Sequence, residues 1–182
     1  MGDDTLHSIE ERLWQELVRA PQRGHPWRLC TLATVTPEGL PDARSVVLRQ
    51  VDPAERELCF FTDTRSPKVA QIARQPQGVP VMWSAELGWQ LRLGVHLEVL
   101  DSGLAVLSHW TRLKMTPAVF DYLSPVPPGS PLERPSAERG DREHFGVICA
   151  RVQTIDWLDL NTNGQRRARF GPGPGTASWL AP

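Results

Sequence analysis

The chain has 182 residues, of which 40% are hydrophobic and 23% charged, a composition typical of one globular domain. The formal net charge of -1 excludes a general electrostatic attraction to nucleic acid or to an anionic membrane. We expect no secretion signal and no membrane span, because no apolar run is long enough to cross a bilayer. Three well-separated cysteines in apolar runs predict buried free thiols and a cytoplasmic location.

The N-terminal region predicts an amphipathic helix over residues 5–20, and we assign residues 1–24 to this helix and its linker. Apolar residues recur at helical spacing, at Leu6, Ile9, Leu13 and Leu17. Thr5 or Asp4 can accept the hydrogen bonds of the first turn, and Pro21 helps to end the helix. We therefore expect this helix to pack on the core of the protein.

From residue 28 onward, alternating apolar and polar residues predict short antiparallel strands. The strands are predicted at residues 28–35, 41–51, 57–62, 79–85, 89–100, 145–160, 165–170 and 177–180. Asn163 and Gly164 favour a tight turn between two of them. The pattern predicts a mainly β (α+β) fold, a closed or partly closed barrel, with a sandwich left open as the alternative.

A few helices are expected to flank this sheet. Ser66 and Pro67 favour a helix start between two hairpins, since serine is a good N-cap and proline suits the first helical position. Further helices are predicted at residues 103–114 and 116–122. Residues 124–142 are rich in proline, glycine and charge, and we expect a long flexible loop there.

The sequence offers little support for catalysis by side chains alone. We find no serine-nucleophile motif, no glycine-rich dinucleotide motif and no phosphate-loop lysine. The five histidines have no metal-ligand spacing with each other or with cysteine, so we predict no metal site. If the protein is an enzyme, a cofactor is the better hypothesis, and no side chain stands out as a catalytic acid or base.

Four cations between residues 44 and 68 suggest an anion site. Arg44, Arg49, Arg65 and Lys68 lie beside hydroxyl groups and beside the predicted helix start, whose free N–H groups and dipole favour phosphate. Arg44 and Arg49 are separated by an odd number of residues, so a regular strand points them to opposite faces. A bulge, or a site shared by two subunits, would be needed to bring both to one ligand. The alternative is a set of surface charges without a ligand.

Three motifs in order resemble the pyridoxamine 5'-phosphate oxidase-like FMN-binding family. They are Arg44-Ser-Val-Val-Leu-Arg49, Phe60-Phe-Thr-Asp-Thr-Arg-Ser-Pro-Lys68 and Trp89-Gln-Leu-Arg92. The ending, with Asp156-Trp-Leu-Asp-Leu160 and Arg166-Arg-Ala-Arg-Phe170, resembles a mostly uncharacterised FMN-binding subgroup. The resemblance covers nearly the whole chain from residue 28.

This resemblance implies one split β-barrel domain over residues 1–182 and a homodimer with FMN at the subunit interface. Arg65, Ser66 and Lys68 would hold the phosphate, while Trp157 and Arg169 would come from the partner chain. The implied cofactor-binding residues are Arg44, Ser45, Val46, Val47, Leu48, Arg49, Phe61, Thr62, Arg65, Ser66, Lys68, Gln90, Trp157 and Arg169.

Several departures separate the chain from the true oxidases of this family, among them Arg49 in place of a terminal lysine and a loop over residues 124–142 that has no clear counterpart. Pro67 replaces a basic residue beside Lys68, and Gln165-Arg-Arg-Ala-Arg169 stands where the oxidases carry Arg-x-His-x-Arg to hold their substrate. We therefore expect an FMN-dependent oxidoreductase of another small molecule, in which hydride reaches flavin N5 and Arg169 or Arg49 stabilises charge near N1.

Four alternatives stay open at this point. They are pyridoxine/pyridoxamine 5'-phosphate oxidase itself, a flavin-binding module without turnover, a related cofactor such as a deazaflavin or haem, and a nucleic-acid binder. The last would use the basic residues near the C-terminus, and the near-neutral net charge disfavours it. We expect neither nucleic acid nor a membrane as a partner.

Overall fold

The computed structural model describes residues 5–135, 138–140, 143–161, 164–173 and 175–182. Two features expected from the sequence, the Asp4 cap and the Asn163 half of the last turn, lie outside the described residues. In the part described, Thr5 caps the first helix, because its hydroxyl oxygen accepts from the Ser8 N–H at 3.1 Å.

The helices and strands follow the order expected from the sequence. The helices are α1 (Leu6–Arg19), α2 (Pro67–Arg74), α3 (Leu104–Lys114) and a 3-10 helix (Pro117–Tyr122). The strands are β1 (Leu29–Val35), β2 (Pro41–Asp52), β3 (Glu57–Asp63), β4 (Gln77–Ser84), β5 (Trp89–Leu100), β6 (Phe145–Asp159), β7 (Arg166–Phe170) and β8 (Ser178–Leu180). The described residues between Tyr122 and Phe145 form neither helix nor strand.

Antiparallel pairing closes the sheet into a barrel. The strand order is β3-β2-β1-β4-β5-β6-β7-β8, and β3 pairs in addition with β6. Six strands thereby form a closed ring, which confirms a barrel of the split-barrel type and rules out the sandwich. The second half of β6 runs past the ring and pairs with β7, so β7 and β8 extend the sheet beyond the barrel.

Two apolar clusters hold the elements together. The larger cluster fills the barrel with the inward residues of the strands, and Ile9, Leu13 and Leu17 of α1 pack into it without exposure to solvent. The smaller cluster lies between the outer face of β3 and β6 and the helices α3 and Pro117–Tyr122, around Phe145 and Trp110. The β3–β6 pair is therefore covered on both faces.

Some details differ from expectation. Strand β4 begins at Gln77 instead of residue 79, because Gln77 and Gly78 already pair with His96 and Val95 of β5. Cys149 is only partly buried, whereas Cys30 and Cys59 are buried. Of the described helices, none combines the length and apolar character that a membrane crossing requires.

We predict that Leu13→Ala lowers the free energy of unfolding by about 2–5 kcal/mol, because it leaves a cavity where α1 meets the barrel. Urea denaturation of the purified protein measures this change. The matched control is Leu107→Ala, also in a helix but 60% exposed, which should change stability by less than about 1 kcal/mol. Equal losses for the two variants would show that α1 does not contribute to the core.

Candidate functional site

A partly buried lysine lies at the start of α2. The Lys68 ammonium donates to the hydroxyls of Ser66, at 2.9 Å, and Thr62, at 3.3 Å. Within the described ranges, no carboxylate lies within ion-pair distance of it. Burial lowers the pKa of Lys68, and the nearby charge of Arg44 lowers it further. An ammonium in this environment is stabilised by an incoming anion.

The turn from Thr62 to Ser66 leaves the start of α2 open to such an anion. The Ser66 hydroxyl donates to the Asp63 carbonyl at 2.8 Å and accepts from Lys68, so it makes no side-chain cap to the helix. Ser66 thus occupies the N-cap position that the sequence predicts, but its hydroxyl is used differently. Pro67 has no N–H and the Val69 N–H donates to the Ser66 carbonyl at 2.9 Å, so the Lys68 N–H and the helix dipole are what the first turn offers a negatively charged ligand.

Arg44 forms a hydrogen-bonded network next to this lysine. Its guanidinium donates to Thr34 Oγ1 at 2.6 Å, to Gln71 Oε1 at 2.9 Å and to Asp42 Oδ2 at 2.5 Å. Gln71 also donates to Asp42 at 2.8 Å, and this bond, together with Arg44, lowers the pKa of Asp42. The network fixes Arg44 and joins α2 to β1 and β2.

Sequence reasoning missed the supporting residues of this network. Thr34 and Gln71 are 3% and 5% exposed, although both are polar. A buried polar side chain needs hydrogen-bond partners, and Arg44 supplies them. The one signal in the sequence that Gln71 is buried was its position next to Ile72, on the side of α2 that faces the barrel.

Arg49 lies on the outer face of the sheet, whereas Arg44 projects from the inner face. The pairing of β2 with β3 shifts register between Leu48 and Gln50, so Arg49 is the extra residue of a β-bulge. Its guanidinium lies 5.2 Å from the centre of the Phe61 ring, and its Nε is buried without a hydrogen-bond partner in the described structure. The bulge does not bring Arg49 to Arg44, which contacts the buried Thr34 instead.

Arg65 is already paired. Its guanidinium makes two hydrogen bonds to the buried Asp63 carboxylate, at 2.7 and 3.1 Å, and a third to the Ser124 carbonyl at 2.8 Å. The hydrogen bond to Asp63 raises the pKa of Arg65. Arg65 therefore fixes the turn before α2 and ties it to the loop that begins at residue 124.

The outer face of the sheet carries several further residues expected at the site. In β2, Val46 and Leu48 point into the core, so Ser45 and Val47 point outward. Ser45 lies opposite Thr31 of β1, and Val47 lies opposite Leu29. Two strands beyond β1 in the sheet, Gln90 of β5 lies between Trp83 of β4 and Leu158 of β6 on the same outer surface. We call the surface formed by Leu29, Ser45, Val47, Trp83, Gln90 and Leu158 the outer sheet face.

Trp157 and Arg169 do not lie together in this chain. Trp157 is fully buried in the barrel core, where its ring packs edge-on against Trp89, with centroids 5.7 Å apart. Its neighbour in β7 is Ala168, whereas Arg169 lies opposite Asp156 and points outward. Burial opposes ionisation of Asp156, but Arg167, Arg92 and Arg169 outweigh it and lower its pKa. The Arg169 side chain is 55% exposed, and its guanidinium lies 3.7 Å from the Asp156 carboxylate.

The geometry suits a phosphate-bearing cofactor better than catalysis by side chains. A desolvated lysine, two buried hydroxyls and a helix N-terminus converge at one end of the barrel, and a phosphate would supply the negative charge that Lys68 lacks. The two carboxylates at this end, Asp42 and Asp63, are held in ion pairs with Arg44 and Arg65. The residues present therefore fit the phosphate end of a flavin mononucleotide.

Comparison with known proteins supports this assignment. Residues 10–101 match the family model described as the FMN-binding domain of pyridoxamine 5'-phosphate oxidase. A pyridoxine/pyridoxamine 5'-phosphate oxidase of Trichormus variabilis is 41% identical over 95 residues, which are 52% of this chain and 43% of the relative. The corresponding protein of Granulibacter bethesdensis is 42% identical over 94 residues, 50% of this chain and 43% of the relative. The matches thus span less than half the length of these relatives.

Solved structures share the fold over nearly the whole chain. A pyridoxamine 5'-phosphate oxidase-related, FMN-binding protein of Nostoc punctiforme aligns with a TM-score of 0.76 at 24% identity, covering 94% of this chain and 96% of that one. PhzG of Burkholderia lata, solved in complex with tetrahydrophenazine-1-carboxylic acid, aligns with a TM-score of 0.71 at 15% identity over 97% and 92% of the two chains.

We predict that Arg44→Met destabilises the protein even when no cofactor is present, by about 1–3 kcal/mol, because Thr34, Gln71 and Asp42 lose a buried hydrogen-bond partner. Urea denaturation of the flavin-free protein measures this. The control is Arg74→Met, an exposed arginine in the last turn of α2. If both variants unfold at the same urea concentration, the network does not support the fold.

Proposed function

Since the chain belongs to the pyridoxamine 5'-phosphate oxidase-like FMN-binding family, we propose that it is an FMN-dependent oxidoreductase acting on a small molecule. The matched domain is an FMN-binding domain, and FMN is its cofactor. The observation that carries the proposal is Lys68, a desolvated cation bonded only to hydroxyls among the described residues, at the start of a helix. When bound, FMN supplies two-electron redox chemistry through its ring system.

In this proposal the chain's own residues bind and orient the cofactor. Lys68, Ser66 and Thr62 hold the phosphate, and the Arg44 network keeps α2 and β2 in place around it. Arg65 shapes the turn through its pair with Asp63. Ser45, Val47 and Gln90 lie along the ring from the outer sheet face, and Val46 and Leu48 act through the strand backbone.

The remaining expected residues have separate parts in the proposal. Arg49 and Phe61 flank the cofactor from the outer face of the β2–β3 hairpin, whereas Arg44 projects from the inner face. Arg169 is the cation that stabilises negative charge on the ring, and it comes from the second subunit together with β7. Trp157 is expected to contact the cofactor near the same strand.

We also propose a homodimer with FMN at the subunit interface. The outer sheet face supports this, because Leu29 and Trp83 are 61% and 48% exposed on a surface that no described helix covers. Apolar patches rimmed by charge are typical of protein interfaces, and Arg92, Arg167 and Arg169 form such a rim here. We propose a cytoplasmic location on the basis of the three free cysteines.

Pyridoxine/pyridoxamine 5'-phosphate oxidase is the second candidate. The 41% identity to the Trichormus variabilis protein over half the chain favours it. The absence of histidine from Gln165–Arg169 weighs against it, because the family's oxidases use that histidine to hold their substrate. An assay of pyridoxal 5'-phosphate formation by the FMN-loaded protein separates the two. Product formed at a rate that depends on bound FMN would establish the oxidase, and flavin reduction only by other donors would favour the broader proposal.

We predict that Lys68→Met weakens FMN binding about tenfold to a hundredfold, since one charge-assisted hydrogen bond contributes about 1.5–3 kcal/mol. Quenching of flavin fluorescence during a titration measures the affinity. The control is Lys114→Met. Lys114 lies on α3, away from this site, and pairs with Glu143. Unchanged FMN affinity in Lys68→Met would refute the phosphate assignment.

We predict that Trp83→Asp converts the homodimer to a monomer, because it places a charge within the outer sheet face. Sedimentation velocity of the FMN-loaded protein measures the oligomeric state. The control, Met115→Asp, changes a residue that is 87% exposed at the end of α3 and should remain dimeric. A wild-type protein that sediments as a monomer would contradict the proposed interface.

A further inference from the structure

Two cysteines face each other across the pair of strands that closes the barrel. Cys59 of β3 lies directly opposite Cys149 of β6. Glu57 precedes Cys59 by two residues, so its side chain projects from the same face of β3. The Cys59 Sγ lies 3.8 Å from Glu57 Oε1, and the three possible ligand atoms all lie within 4.8 Å of one another.

The spacing of the three possible ligand atoms, all within 4.8 Å of one another, suits a shared metal ion. Two thiolates bound to one tetrahedral zinc ion, with Zn–S bonds of about 2.3 Å, have sulfur atoms separated by about 3.8 Å. The ladder can therefore bring both sulfur atoms to one ion.

The surrounding charge favours a cation. No arginine, lysine or histidine of the described residues forms an ion pair with Glu57, and Arg151, opposite it in register, is not within ion-pair distance. On the other side of β6, Glu98 of β5 lies opposite Cys149. Two sulfur ligands beside a carboxylate select thiophilic ions such as zinc over magnesium or calcium.

We propose that Glu57, Cys59 and Cys149 bind one thiophilic divalent cation of the zinc class. Each thiol releases its proton to solvent when its sulfur binds the ion, and no electron is transferred. Water or the Glu98 carboxylate takes the fourth position. The ion joins β3 to β6 at the strand pair that closes the barrel, so its binding raises the stability of the folded protein.

A metal titration of the FMN-loaded protein under reducing conditions tests this site. Zinc is added in competition with a chromophoric chelator, and cobalt is added separately to detect the thiolate-to-cobalt absorption band. We expect one ion per chain, a thiolate band with cobalt, and a higher unfolding temperature with zinc. Cys149→Ser and Glu57→Gln should each weaken binding at least about tenfold.

The control is Cys30→Ser, which removes a thiol in the barrel core whose pKa burial raises to about 12. This variant should bind zinc as the wild type does, and all variants should retain FMN, which shows that they fold. Failure of the reduced wild type to bind one equivalent of zinc would overturn the proposal. Equal zinc affinity in Cys149→Ser and the wild type would overturn it as well.

Discussion

The pairing of β6 with both β3 and β5 is the constraint on which the rest of this structure depends. It turns an open antiparallel sheet into a barrel, and it fixes the end of β3, where Thr62 lies opposite Gly146. The turn to α2 follows at once, so the position of Lys68 is set by barrel closure. The same pairing brings Cys59 opposite Cys149, which are 90 residues apart in sequence.

Lys68 illustrates a conflict between stability and binding. Burial of an ammonium without a carboxylate partner disfavours its charged form, as the lowered pKa shows. The chain retains the lysine and surrounds it with hydroxyls that cannot neutralise it. Such a group contributes little to folding in the absence of a ligand, and an anionic ligand recovers the missing interaction. The Arg44 network differs, because its charges and hydrogen bonds are largely satisfied within the chain.

The sequence predicted most of the fold because local signals agreed with one another. Alternation, turn residues and the Ser66–Pro67 helix start placed nearly every strand and helix, and the family resemblance supplied the split barrel. Closure between β3 and β6 could not be read from local pattern, since it depends on contacts between distant residues.

The sequence was less informative about the site. It identified Lys68 and Arg44 from their charge. It did not show that the pKa of Lys68 is lowered or that Arg44 is held in a hydrogen-bonded network. That Arg65 is bound by Asp63, and that Arg44 needs Thr34 and Gln71, depends on side-chain packing that spacing does not reveal. The opposite faces of Arg44 and Arg49 follow from their odd spacing, whereas the bulge at Arg49 could not be located from the sequence.

The central claim is that this end of the barrel recognises the phosphate of a flavin. Isothermal titration of the flavin-free protein with FMN and, separately, with riboflavin tests it most directly, because the two ligands share a ring system and differ in the phosphate. We predict one FMN per chain and an affinity for riboflavin at least about a hundredfold weaker. Equal affinities for the two ligands would contradict the account.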